Sequence, residues 1–133
     1  TEKQVLIDDY AHHPTEIDAV HNAVREMYPN KRVLGVFQPH LYSRTRDFME
    51  DFARSLSQFD ELLLLDIYPA REQPIEGVNS QELLNLITVA RKRLVTKENL
   101  EAKMKASKAT VKVMMGAGDI GEEILKITKS FSQ

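Results

Sequence analysis

Four short apolar runs constrain this chain more than anything else in it: VLI at 5–7, RVLGVF at 32–37, LLLL at 62–65 and VKVMM at 111–115. Each is too short for a helix and lacks the polar alternation of a half-exposed strand, so each reads as a strand covered on both sides. Between them lie stretches of helical periodicity. Residues 14–28 place Ile17, Val20, Val24 and Met27 on one stripe, with Pro14 at the first helical position, where a missing N–H costs nothing. Thr45 can cap a helix carrying Phe48, Met49, Phe52 and Leu56, and Ser80 can cap QELLNLITVARK at 81–92. A short RLV strand, a helix over 96–106 and a terminal helix carrying Ile120, Ile124, Leu125 and Ile127 complete the reading. Strands 4–9, 32–38, 61–66 and 111–115 alternating with helices predict an α/β fold: a Rossmann-like three-layer sandwich, mostly parallel, with helices on both faces.

A chain of 133 residues is long enough to bury one core without staples. With 42% hydrophobic and 29% charged residues it has globular composition. A formal net charge of −2 makes no electrostatic case for nucleic acid or an acidic membrane as partner. Cysteine is absent, which excludes disulfides and thiolate chemistry. No apolar run approaches the roughly 20 residues that span a bilayer. The start, TEKQVLIDD, enters a strand almost at once and has the look of a domain cut from a longer protein. Any active site found here is then expected to be part of one.

In parallel α/β sheets ligands collect outside the carboxyl ends of the strands. Every unusual cluster in this sequence falls at such an end: DDYAHH (8–13), QPHLYSR (38–44), DIYPARE (66–72) and GAGDIG (116–121). The last matches G-x-G-x-x-G between a strand and a helix. Only twelve residues follow Gly121, so the second half of a dinucleotide site is missing. A tight turn, or a helix N-terminus meeting an anionic group, are the two readings left. In DDYAHH, Asp8, Asp9 and His12 have the chemistry of metal ligands. Against this, the adjacent His12 and His13 should splay apart, and His13 fits better as a helix cap with Glu16 three residues on. His21 reads as a surface or packing residue. In QPHLYSRTR the arginines either pair with Asp47 or Asp51 in a solvated loop, or form a carboxylate or phosphate grip.

Taken in order, DDYAHHPTEI, VFQPHLYSRTRDF, LLLLDIYPAREQPIEGVNS and MGAGDIG resemble the C-terminal domain of the Mur ligases, over about residues 5–127 and closest to the alanine-adding branch. The resemblance implies a cytoplasmic three-domain enzyme that uses ATP and Mg2+, both bound mainly by its central domain. It implies UDP-N-acetylmuramate and L-alanine as the substrates, joined through an acyl phosphate in peptidoglycan synthesis. It places Asp9 at the ATP ribose, Tyr10 and His12 at the edge of the amino-acid pocket, and His40 and Arg44 beside the incoming alanine, with Arg44 suited to its carboxylate. No catalytic residue and no metal ligand is assigned to this domain by it. Leu41 stands where a second Arg is frequent, leaving Arg46 as a partial substitute, and Ala11 stands where Gly is frequent. No Walker sequence G-x-x-x-x-G-K-[ST] occurs, so phosphates would be held elsewhere. Three rival readings remain: a murein-tripeptide-recycling ligase of the same family, a metal-dependent phosphoesterase using Asp8, Asp9, His12 and His40, and a nucleotide-binding regulatory module.

Overall fold

The computed structural model describes residues 3–131. Five strands, β1 (Val5–Asp9), β2 (Val33–Phe37), β3 (Glu61–Leu64), β4 (Arg91–Leu94) and β5 (Val111–Met115), form one sheet in the order β1-β5-β2-β3-β4. Every pairing is parallel, with β5 in register against both Val5–Asp9 and Val33–Phe37. The helices are α1 (Pro14–Met27), α2 (Tyr42–Asp47), α3 (Met49–Leu56), α4 (Ser80–Leu86), α5 (Leu100–Ala106) and α6 (Ile120–Phe131).

Strand side chains alternate between two cores. Val33, Phe37, Leu62 and Leu64 pack with Ile17 of α1, Phe52 of α3 and Leu83 of α4 on one face. Leu34, Val36, Leu63 and Met114 pack with Leu100 and Met104 of α5 and Ile120 and Ile124 of α6 on the other. The predicted three-layer α/β sandwich is therefore present, with an all-parallel sheet. The first three crossovers step across one face. The chain then returns over the opposite face and inserts β5 between β1 and β2.

Several local expectations change. Strand β1 is half-buried rather than covered on both sides, because it is an edge and pairs with β5 alone. Thr45 is not a cap: α2 starts at Tyr42, and the buried Thr45 hydroxyl donates to the Leu41 carbonyl at 2.8 Å. A break at Phe48 separates α2 from α3. Asn79, not Ser80, caps α4, its side chain accepting from Glu82 N at 2.9 Å, while the buried Ser80 hydroxyl donates to Leu65 O. Helix α4 also ends at Leu86, short of the sequence reading. Buried Ile87 and Val89 lead the chain into β4, and Lys92 Nζ from that strand donates to the Leu84 and Ile87 carbonyls at the end of the helix. Met27 and Leu125, both assigned to apolar stripes, are exposed.

Candidate functional site

The strand order decides where a crevice opens. Chain leaving β1 and β2 turns toward α1 and α3 on one face, whereas chain leaving β5 between them turns toward α6 on the other. The loops part at the carboxyl end of β5, which is the topological switch point of the sheet. Asp9, Gln38 and Gly116 stand at this fork.

Asp9 ends β1 and is half-buried. Its Oδ1 accepts from Ala11 N at 2.9 Å, and its second oxygen has no partner among the described residues. Tyr10 projects outward, 70% exposed, with its hydroxyl 3.4 Å from Ala117 O. His12 turns back over the loop: its Nδ1 lies 3.0 Å from the Tyr10 carbonyl and 3.4 Å from Glu16 Oε1. Both neighbours are acceptors, so Nδ1 carries the proton and Nε2 the lone pair. The same Glu16 oxygen takes the His12 backbone N–H at 2.9 Å, and the hydrogen bonds from His12 and His13 hold its carboxyl below the usual range. His13 caps α1 as expected, accepting from Thr15 N, but the reciprocal bond of Glu16 falls one residue earlier than a capping box would place it. Ala11 is fully buried, which an ordinary side chain at that position tolerates.

The loop after β2 brings the second cluster alongside. A parallel bridge ties His40 to Tyr68, with Leu41 N donating to Tyr68 O and Tyr68 N to Pro39 O, each at 2.8 Å. Arg44, one helical turn on, donates from Nη1 to His40 Nδ1 at 3.1 Å and to His40 O at 3.3 Å. A guanidinium only donates, so His40 holds its lone pair on Nδ1 and its proton on Nε2. Burial first, then the charge of Arg44, keeps the His40 imidazole below its ordinary pKa and neutral. Rings of Tyr10, His12, His40 and Tyr68 stand edge to face in a row, with neighbouring centroids 5.8, 6.3 and 5.6 Å apart. Arg46 is exposed and bridged to Asp47 at 2.9 Å, the solvated pairing the sequence allowed, and Asp51 pairs with Arg54.

GAGDIG turns out to be a tight turn whose helix end is already occupied. Gln38, a buried carboxamide at the end of β2, accepts from Ile120 N at 3.0 Å and donates to Asp119 Oδ1 at 2.6 Å. Lys97, from the loop after β4, closes the set on Asp119 Oδ2 at 2.5 Å. Gln38, Lys97, Asp119 and Tyr68 are site-forming residues that the sequence reading passed over. The available signal was a lone polar residue, Gln38, ending an otherwise apolar strand. A cleft of about 530 Å³ lies beside them, floored by Leu65, Ile67 and Val95.

Among the described residues no three His, Asp or Glu side chains converge as a metal cluster, and Asp8 points to solvent. The constellation needed for the phosphoesterase reading is therefore not assembled among the described residues. The second oxygen of Asp9, fixed at a strand end and open to a donor, fits a sugar hydroxyl.

The sequence model of the Mur ligase, glutamate ligase domain, matches residues 1–120. The chain belongs to the Mur ligase family. A UDP-N-acetylmuramate–L-alanine ligase of Christiangramia forsetii is 68% identical over 95% of this Mur ligase domain and 28% of its own length. The enzyme of the same name from Flavobacterium psychrophilum is 64% identical over 98% of the chain and 29% of its own length. The domain thus spans a little over a quarter of the relatives it matches. In fold it is similar to the crystal structure of UDP-N-acetylmuramate–alanine ligase from Thermotoga maritima, with a TM-score of 0.74, 24% identity, and coverage of 96% of this chain and 26% of that one.

Proposed function

We propose that this chain is the amino-acid-binding C-terminal domain of an ATP-dependent ligase that joins L-alanine to UDP-N-acetylmuramate in the cytoplasm. The observation that carries this reading is Arg44: a half-buried guanidinium at the switch point whose partners among the described residues are both on His40, with no carboxylate neutralising it. A free amino acid brings the carboxylate this cation lacks, and a bidentate or charge-assisted bond to it is the strongest such a residue makes. His40 adds a second donor through Nε2–H. Asp9, at the end of β1, takes the ATP ribose. Tyr10 and Tyr68 border the space left for a small side chain. The names of the most similar relatives support alanine as the amino acid.

In this reading the P-loop, the magnesium and the acyl-phosphate chemistry belong to the rest of the enzyme, and this domain orients the nucleophile. Holding two reactants in attack geometry is worth several kcal/mol of the barrier by itself. ADP release by the full-length enzyme, given ATP and UDP-N-acetylmuramate, tests it: turnover with L-alanine is expected, and none when the 133-residue chain replaces the enzyme. Turnover with a murein tripeptide in place of L-alanine would reassign the domain to the recycling branch.

A further inference from the structure

Four histidines are present, and the structure gives each a different state. His13 spends its Nδ1 lone pair capping α1 and packs edge-on against Phe48 at 4.7 Å. His21 accepts from Arg25 Nε at 3.0 Å and packs on Phe59, away from the site. His40 has its Nδ1 lone pair occupied by Arg44 and presents a proton from Nε2. His12 alone combines an Nδ1–H bonded to the Tyr10 carbonyl, with a Glu16 oxygen 3.4 Å away, and an Nε2 lone pair that meets no partner among the described residues. An imidazole whose far nitrogen faces a carboxylate is the orienter–base arrangement of general-base catalysis. The carboxylate fixes the tautomer and stabilises the imidazolium once a proton arrives.

The amino acid needs such a group. It reaches the site as an ammonium, which has no lone pair to attack with, while its carboxylate is taken by Arg44 and His40. We propose that His12, oriented by Glu16, is the base that removes a proton from the α-ammonium of the incoming amino acid; this rests on the ligase reading above. The N–H electron pair stays on nitrogen and the proton passes to His12 Nε2, giving a neutral amine and an imidazolium. The amine then forms the C–N bond at the acyl phosphate, the C–O bond to phosphate breaks, and the second ammonium proton leaves with the phosphate. The groups facing His12 are the Tyr10 ring and carbonyl, Glu16, and the neutral ring of His40 with Arg44 behind it.

Hydroxylamine separates this role from pocket shape, because it is uncharged at neutral pH and attacks an acyl phosphate with no base. In the full-length enzyme, His12→Gln should lower amide formation from L-alanine by about 100- to 10,000-fold. Hydroxamate formation from hydroxylamine, which needs no base, should fall far less. Glu16→Gln should show the same split with a smaller loss. Loss of both products together would make His12 a structural residue, and an unchanged alanine rate would remove it as the base. If the wild-type enzyme makes no amide from L-alanine, the ligase reading itself fails, an outcome distinct from either. Independently of activity, 15N spectra of the chain should find His12 protonated on Nδ1 and His40 on Nε2. The reverse assignment would overturn the proposal.

Discussion

At the scale of single residues, the site is built from side chains whose hydrogen-bonding state is set by a neighbour that can only donate or only accept. Arg44 makes His40 an Nε2 donor, and the Tyr10 carbonyl with Glu16 makes His12 an Nδ1 donor. None of these partners adjoins its histidine in a way the sequence alone would single out. Leu41 shows what holding them costs. It adopts φ 76° and ψ 132°, a region non-glycine residues avoid, and is pinned there by its bonds to Tyr68 O and from Thr45. Strain of this kind is worth about 1–3 kcal/mol and persists where the surroundings over-determine it. Replacing Arg44 by Ala in the full-length enzyme should raise the KM for alanine tenfold to a hundredfold, since a charged hydrogen bond is worth ~1.5–3 kcal/mol. The KM for ATP should move little; an alanine KM that stays put would take Arg44 out of the pocket.

Among the elements, the turn from β5 into α6 is the informative one, because its three glycines are there for different reasons. Gly116 has φ +149°, and a Cβ would lie 3.1 Å from Gln38 O. At Gly118 the constraint is space: a Cβ would come within 2.6 Å of Gln38 Oε1 and 2.7 Å of Tyr68 Cγ. Gly121, in the first turn of α6, has nothing within 4 Å of that position. The G-x-G-x-x-G spacing therefore serves a close approach of backbone to Gln38 and Tyr68 rather than to a pyrophosphate. Gly118→Ala should destabilise the domain by about 1–3 kcal/mol in urea unfolding, and in the full-length enzyme should weaken alanine binding through the displaced Tyr68–His40 contact. Gly121→Ala should instead stabilise it by roughly 0.5 kcal/mol, as a helical glycine is relieved of its entropy cost. Equal effects at the two positions would contradict the packing argument.

Across the whole molecule, the site and the most costly buried charge lie at opposite ends of the sheet. Lys112, on the interior strand β5, is 1% exposed. Its Nζ donates to Gln4 Oε1 at 2.5 Å and to the Ala109 carbonyl, with the Phe131 ring 5.5 Å away. Burial pushes its pKa below the ordinary lysine value, with Glu61 opposing. The folded chain then binds fewer protons than the unfolded one just below pH 10.5, so stability should rise with pH through that window. Replacing Lys112 by Met removes the buried charge and should stabilise the domain by about 1 kcal/mol at neutral pH. That advantage should shrink as the pH approaches 10.5 and the wild-type lysine discharges. Urea midpoints of the two proteins measured across this range check both the sign and the trend.

The sequence by itself determined the strands, the two-sided burial of β2, β3 and β5, and the α/β class, because hydrophobic period and run length are local properties of the chain. It also located four clusters at strand ends, and from them the resemblance to the Mur ligases. Helix boundaries went astray where tertiary contacts outweighed local preference: Thr45 is buried within α2, and residues 87–92 are drawn off α4 toward the edge of the sheet. Which clusters meet was a matter for the tertiary structure alone. Inserting β5 between β1 and β2 opens the crevice between DDYAHH and QPHLYSR and sets His12 beside His40, a contact between residues 28 positions apart that no local pattern encodes.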